Sequence, residues 1–548
     1  MSRASYARRS TGGQPLFVLA DDSTRTRGRD AQRSNVAAGR AIAEAVRTTL
    51  GPRGMDKLLV DASGNVVITN DGASILSEMD VEHPAAQMLV DLARAQEDAV
   101  GDGTTTAAVL GGQLLAKAES LLDDDVHPTA IVEGYRAAAD VALDTIDSLT
   151  LDDVDEDLLR SVATSSMTGK GTGGITVDAL AELVVDAIDR VTVDGTDDAS
   201  ERAPVDGTRD ERARASVDRD DVHVFAKVGG SATDTELVAG IVLDEEPAHS
   251  EMPRDVRDAA IAVLDVDLDV KTASGDVEYR LDSPAALERV LAAEADERRA
   301  VAATVVDAGI DVVATTGDVD DHVAALLADA GVLAFASLSS DDARAIARTT
   351  GSKRLGSVDD VDAADFGRAD RIALRSVGDD DLAFVEGGAA ADAVTLFVRG
   401  GTEHVVAELE RALGDALDVV AVAAETGAVV PGAGATEVAI ADAIRDASAG
   451  IAGRQQLAAD AFAEAVEVLP RTLAANAGLD PIDVLVDLRA FHEHGDVLGV
   501  VVDGDAATVA NPLEYGVLDP AAVKTAAVTA ATEAATMIVR IDDVIAAN

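Results

Sequence analysis

The apolar pattern of this chain changes period twice, and that change constrains the architecture. From residue 35 to about 149, apolar side chains recur at helical spacing, with breaks at Gly101 and at His127-Pro128. From 222 to about 387, short β-like runs at 222–228, 261–264, 312–314 and 332–335 alternate with helical runs such as 283–295 and 319–330. A further strand-like run at 394–398 ends in Arg399-Gly400-Gly401, after which helical spacing returns to the C-terminus. The two helical ends therefore read as one domain split by an inserted α/β module, with the termini brought together. Apolar runs 58–60 and 66–68, separated by Asp61-Ala62-Ser63-Gly64-Asn65, have the signature of a hairpin. Residues 1–33 read as a polar tail with one short strand at 16–19, and 194–221, dominated by Asp, Arg and Gly, as a loop or linker.

At 548 residues the chain is too long for one core, and two to four domains are expected. There is no Trp and only 2% aromatic residues, so the cores are built from Ala, Val, Leu and Ile. The absence of Cys excludes disulfides, thiolate metal sites and a Cys nucleophile, and favours the cytoplasm. The formal net charge is −56, and the acids are spread through every region. With 47% hydrophobic residues, this is not a disordered acidic chain. Molar salt shortens the Debye length to about 3 Å and removes most of the self-repulsion, which suits a very salty cytoplasm. A basic footprint for nucleic acid is missing. No apolar stretch of signal length follows the basic start, and no run of about 18 apolar residues spans a membrane.

The chemistry gathers at Gly101-Asp102-Gly103-Thr104-Thr105-Thr106. Two glycines let the backbone turn and expose successive N–H groups, and the threonines open a helix whose free N-terminus cradles phosphate. Asp102 offers the hard oxygen that Mg²⁺ prefers when it also holds phosphates. A nucleotide is implied, without the usual P-loop motif. Three other segments are ordinary when taken singly. Asn70-Asp71-Gly72 is a turn signal, Asp415 a helix-borne acid, and Gly432-Ala433-Gly434 a helix entry. His492-Glu493-His494 could ligate a metal, but no third ligand is nearby, and the ordinary structural reading of these histidines is preferred.

In combination and in order, these segments closely resemble a group II chaperonin of the archaeal thermosome type. The likeness covers 35–135 and 399–545. It is carried by Thr48-Thr49-Leu50-Gly51-Pro52-Arg53-Gly54-Met55-Asp56-Lys57, Thr69-Asn70-Asp71-Gly72-Ala73, Glu82-His83-Pro84, the 101–106 loop, Arg399-Gly400-Gly401-Thr402-Glu403, Pro470-Arg471-Thr472-Leu473 and Arg540-Ile541-Asp542-Asp543. Residues 222–391 match more loosely, best at Gly229-Gly230-Ser231 and Asp234-Thr235-Glu236-Leu237.

The resemblance implies an α/β multidomain fold. A mostly helical equatorial domain would comprise 1–149 and 429–548, a small α/β intermediate domain 150–221 and 392–428, and an α/β apical domain 222–391. A helical protrusion at 241–275 would serve as a built-in lid. It implies ATP and Mg²⁺, with Asp71 and Asp415 catalytic and Asp102 on the metal. Nucleotide contacts would come from Thr49, Leu50, Gly51, Pro52, Asn70, Gly72, Asp102, Gly103, Thr104, Thr105, Thr106, Lys170, Gly432, Gly434, Val501 and Asp519. Lys170 would sense the γ-phosphate and Asp519 would reach the ribose. The partners implied are unfolded polypeptides and the same or related subunits in two stacked rings, with no nucleic acid and no membrane. Ala433 stands where the family has a third glycine, and Val501 where it usually has Asn or Asp. These departures motivate a rival reading, an accessory ring subunit that binds nucleotide but turns it over poorly. A monomeric phosphotransferase using the same loop is the other rival.

Overall fold

Both ends of the chain fold into one helical body. The computed structural model describes residues 24–60, 64, 66–193, 216–217, 219–269, 284–357, 363–378, 380–388, 393–504 and 506–546. The expected strand at 16–19 and most of the linker at 194–221 lie outside these residues.

Strand Thr24–Arg27 pairs antiparallel with Asp543–Ala546, closing the chain on itself. Helices Arg29–Arg47, Pro84–Val100, Thr104–Asp123 and Pro128–Leu149 bury one core together with Ala435–Ser448, Gln455–Val466 and Ala521–Val539. Small side chains such as Ala93, Ala108, Ala459 and Ala531 fill much of it, as a chain poor in aromatics requires. The scarce aromatics mark its centre. Tyr135 and Phe462, both buried, meet edge to face at 5.6 Å, and the Tyr135 hydroxyl donates to Leu114 O at 2.8 Å.

The inserted module is a seven-stranded mixed sheet. Leu333–Phe335, Val312–Thr315, Asp255–Leu264, Gly367–Val377, Asp380–Gly388 and Gly240–Leu243 follow in that order, with Arg354–Leu355 also pairing Asp255–Leu264. Ile261 pairs with Val312 in the parallel half and Ala259 with Ala369 in the antiparallel half. Helices Asp321–Asp329 and Ser340–Thr350 contribute Val323, Leu327 and Ile346 to its core.

A third core lies between the two. Helices Glu156–Met167, Val177–Val191 and Glu403–Thr426 cover a three-stranded sheet of Val222–Val228, Val394–Gly400 and Glu236–Val238. Leu396 is opposite Val224 in the parallel pair and Leu237 in the antiparallel one. By packing, therefore, 222–238 belongs with this third core, and the sheet of the inserted module begins at Gly240.

The helical protrusion expected at 241–275 is corrected over its described part. Residues 241–269 carry the strands Gly240–Leu243 and Asp255–Leu264 and no helix. Their apolar runs Ile241-Val242-Leu243 and Ile261-Ala262-Val263-Leu264 are buried in the sheet, as continuous apolar runs in interior strands are. Residues 270–275 lie outside the described set. No helix among the described residues is long and apolar enough to cross a membrane.

One buried carboxylate ties three helices of the chain-end body together. Glu467, 3% exposed, lies between helices Gln455–Val466 and Val468–Asn476. It accepts from Arg445 Nη2 at 2.5 Å and from Arg489 Nε at 2.6 Å. Glu467→Ala leaves Arg489 without this acceptor and Arg445 with Asp442 alone, and is expected to cost about 2 kcal/mol in denaturant unfolding at fixed molar KCl. A loss below ~1 kcal/mol would place the pair among weak surface ion pairs.

Candidate active site

The phosphate-loop sequence folds as its glycines require. Helix Pro84–Val100 ends at Gly101, with φ 68°, and Gly103, with φ 85°, leads into helix Thr104–Asp123. No side chain caps that helix, so its first-turn N–H groups remain for a ligand. A Cβ on Gly101 would collide with Asp418. Gln96 Nε2 donates to Asp102 O at 2.9 Å and to Val523 O at 3.3 Å, tying the loop to the last helix.

Around the loop is a cavity of about 380 Å³. Thr49, Leu50, Gly51, Pro52, Asn70, Asp71, Gly72, Asp102, Gly103, Thr104, Thr105, Thr106, Lys170, Asp415, Gly434, Val501 and Asp519 all line it. These residues come from three distant parts of the sequence. Gly432 does not line the cavity and stands behind its wall. Its N–H donates to Val517 O at 2.9 Å, and an added Cβ would lie 3.0 Å from Asp519 Oδ2.

Each carboxylate is held by local structure. Asp71 caps helix Gly72–Glu78, its Oδ2 accepting from Ser74 N at 2.7 Å and Oδ1 from Ala73 N at 3.2 Å. Second lone pairs on both oxygens remain for water or metal. Asp415 projects from helix Glu403–Thr426 onto the Lys170 ammonium, and both side chains are about four-fifths buried. Asn70 Nδ2 donates to Gly169 O at 3.0 Å and so fixes the turn that carries Lys170.

The cavity is electrostatically crowded. Burial pushes Asp415 up to about 6, against the pull of Lys170 and with help from Asp71. Burial likewise raises Asp102, while Lys170 and the Gly103 N–H draw it back. Burial opposes the Lys170 ammonium, but Asp415, Asp102 and Asp71 outweigh it and hold its pKa above the ordinary value.

Several lining residues were not legible in the sequence. Glu97 accepts from the Thr104 hydroxyl and faces the same acids. Burial pushes it up to about 8, the Thr104 hydrogen bond opposing and Asp415, Asp71 and Asp102 adding to the rise. Glu437, Lys524, Tyr515 and the cluster Thr164, Ser165, Ser166 and Thr168 also line the cavity. The one available signal was Lys524 itself, a cation inside the small-residue run Ala521-Ala522-Val523-Lys524-Thr525-Ala526.

The departures have structural readings. Ala433 takes φ 57°, the left-handed region that favours glycine, and its carbonyl accepts from Val500 N at 2.8 Å. Val500, Val501 and Val502 make that wall apolar. The two histidines meet backbone carbonyls. His492 Nε2 lies 3.0 Å from Leu498 O, and His494 Nδ1 lies 2.6 Å from Ala490 O. Among the described residues no group of three His, Asp or Glu forms a metal cage.

The sequence comparisons place the chain in a family. The TCP-1/cpn60 chaperonin family model matches residues 42–548. The chain is 59% identical over 541 residues to thermosome subunit 3 of Haloferax volcanii, covering 98% of this chain and 99% of that protein. It is 47% identical to thermosome subunit alpha of Archaeoglobus fulgidus, covering 98% of this chain and 95% of that protein. For thermosome subunit alpha of Halobacterium salinarum the identity is 45%, with 98% and 92% covered. The chain belongs to the TCP-1/cpn60 chaperonin family. Within that family it is a group II chaperonin, an ATP-dependent chaperone that folds proteins in a double-ring chamber.

Two measurements check this geometry. Glu97 stays protonated in the fold up to about pH 8, whereas the unfolded chain ionises near its ordinary 4.5. The folded state therefore binds more protons across that window, and stability falls as pH rises through it. Glu97→Gln is expected to flatten that fall in unfolding curves taken from pH 5 to 8, and an unchanged slope would contradict the buried-acid reading. Ala433→Gly is expected to raise the melting midpoint by relieving ~1 kcal/mol of left-handed strain. A lowered midpoint would show that the methyl group packs productively.

Proposed function

We propose that the cavity binds MgATP and hydrolyses it, and that the helix carrying Asp415 couples hydrolysis to the shape of the subunit. The observation that carries this reading is the meeting, in one cavity, of an uncapped helix N-terminus, Asp71, Asp102, Lys170 and Asp415.

The N–H groups at the start of helix Thr104–Asp123 would take phosphate oxygens, and Lys170 would neutralise charge on the transferred group. A water positioned by Asp71 and Asp415 would attack the γ-phosphorus, its proton passing to Asp415 as ADP leaves. A carboxyl held near 6 is suited to that task, being ionised at neutral pH yet able to take a proton. The residues fit Mg²⁺. A divalent ion that also binds phosphates needs only one or two protein carboxylates, and Asp102 is a buried acid whose ionised form lacks full compensation. When bound, Mg²⁺ would neutralise charge on the phosphates. Gly51 and Pro52 would approach them from the far side, Gly434 and Val501 would line the nucleoside, and Asp519 would face the ribose.

The domain reading follows the packing. Residues 1–149 and 429–548 would form the equatorial domain, 150–221 and 392–428 with the strands at 222–238 the intermediate domain, and 240–391 the apical domain that meets unfolded polypeptides. Assembly with like or related subunits is supported by a hairpin of Lys57–Val60 and Val66–Thr69 whose Leu58, Val60, Val66 and Ile68 are exposed. A salty cytoplasm and the absence of nucleic acid and membrane partners belong to the same reading.

ATP turnover in molar KCl tests it. Asp415→Ala is expected to cut kcat by roughly a hundredfold or more while ADP binding persists. In the wild type, kcat is expected to fall as pH drops through about 6, where Asp415 takes up its proton. Turnover in the variant within twofold of wild type would remove Asp415 from the chemistry. Folded, ring-sized wild type with no turnover would favour the accessory-subunit reading.

A further inference from the structure

We infer that Lys524 and Glu437 are positioning residues at the sugar end of the cavity, and that together with Asp519 they make the site prefer a ribose to a 2′-deoxyribose. This inference rests on the reading of the cavity as an ATP site.

Asp519 lies on the short strand Leu518–Pro520, opposite Val430. The backbone leading to it is held from two sides. Gly432 N–H donates to Val517 O at 2.9 Å, and Ser165 Oγ donates to Gly516 O at 3.1 Å while accepting from Leu518 N–H at 3.0 Å. The side chain is held by Lys524, which enters from the first turn of helix Ala521–Val539. Its Nζ lies 2.9 Å from Asp519 Oδ2 and donates to Glu437 Oε1 at 2.6 Å. All three side chains line the cavity.

The arrangement leaves acceptors over. One ammonium serves two carboxylates and engages one oxygen of each, Oδ2 of Asp519 and Oε1 of Glu437. Glu437 is 4% exposed, and its Oε2 is buried without a hydrogen-bond partner. A buried carboxylate oxygen in that state is costly until a donor arrives. Burial opposes the Lys524 charge, but Asp519 and Glu437 more than offset it, so the ammonium persists between them. Two neighbouring acceptors spaced by one cation suit a ligand with two adjacent hydroxyl donors, which the 2′- and 3′-hydroxyls of a ribose supply. A 2′-deoxy sugar would leave an acceptor unpaired, and sites built to bond a hydroxyl reject analogues that lack it for that reason.

Calorimetric titration of the full-length protein with ADP and 2′-deoxy-ADP, at molar KCl with Mg²⁺, tests this independently of turnover. Wild type is expected to bind ADP at least about tenfold more tightly than 2′-deoxy-ADP. Lys524→Met is expected to bring that ratio within threefold while the Kd for 2′-deoxy-ADP moves less than threefold. Asp519→Asn gives the ratio expected when the sugar contact itself is weakened. If Lys524→Met does not fold, the Lys524→Met/Glu437→Gln variant, which leaves less uncompensated charge, carries the same expectation. A Lys524 variant that weakens both nucleotides alike and keeps the wild-type ratio overturns the inference, because that is what a purely structural residue would do. Wild type that binds both nucleotides equally overturns it too, while leaving the ATP site intact. Wild type that binds neither nucleotide overturns the ATP-site reading itself.

Discussion

The Lys170 ammonium is the charge against which the acids at the phosphate-loop end of the cavity are balanced. Lys170 is paired with Asp415, and Asp102 and Asp71 act on it as well. Without it, burial would push Asp415 and Asp102 further toward their neutral forms, and a neutral carboxyl is a poor metal ligand. The contact is also a mechanical joint. Lys170 follows helix Glu156–Met167 and Asp415 lies within Glu403–Thr426, both packed in the third core, whereas Asp71 and Asp102 belong to the body made by the chain ends. The cavity is therefore lined from two separately packed bodies, which gives the proposed coupling of nucleotide state to shape a physical basis.

The acid excess sets the conditions under which that joint works. Many ion pairs on the described surface are exposed, such as Arg33 with Asp123 and Arg344 with Asp341, and exposed pairs contribute little each. They leave the net charge of −56 unchanged, and concentrated salt would screen the self-repulsion it causes. The buried clusters around Lys170, Lys524 and Glu467 are much less sensitive to screening and hold the geometry of the site.

How much was legible depended on whether the signal was local. The 101–106 loop, the hairpin at 57–69, and the strands at 222–228, 312–315 and 394–400 could be read from glycine placement and apolar period. Strands Gly367–Val377 and Asp380–Gly388 could not, because Arg371, Arg375, Asp380 and Asp381 interrupt the apolar alternation and are neutralised only by partners such as Asp255 and Arg254. The expected protrusion at 241–275 failed over its described part because position in the chain and the resemblance, not the residue pattern, suggest it. Asp71 and Asp415 looked like an ordinary turn and an ordinary surface acid until the resemblance grouped them. Glu437 and Lys524, 87 residues apart in sequence, carried no joint signal at all.

The most direct test of the account is a structure of the assembled protein, in molar KCl, with ADP, Mg²⁺ and a fluoride mimic of the γ-phosphate. The phosphates are expected on the N–H groups that open helix Thr104–Asp123, the metal on Asp102, the mimic between Lys170 and Asp415, and the sugar beside Asp519. A nucleotide bound outside this cavity, or inside it with its phosphates turned toward Asp519, would contradict the account.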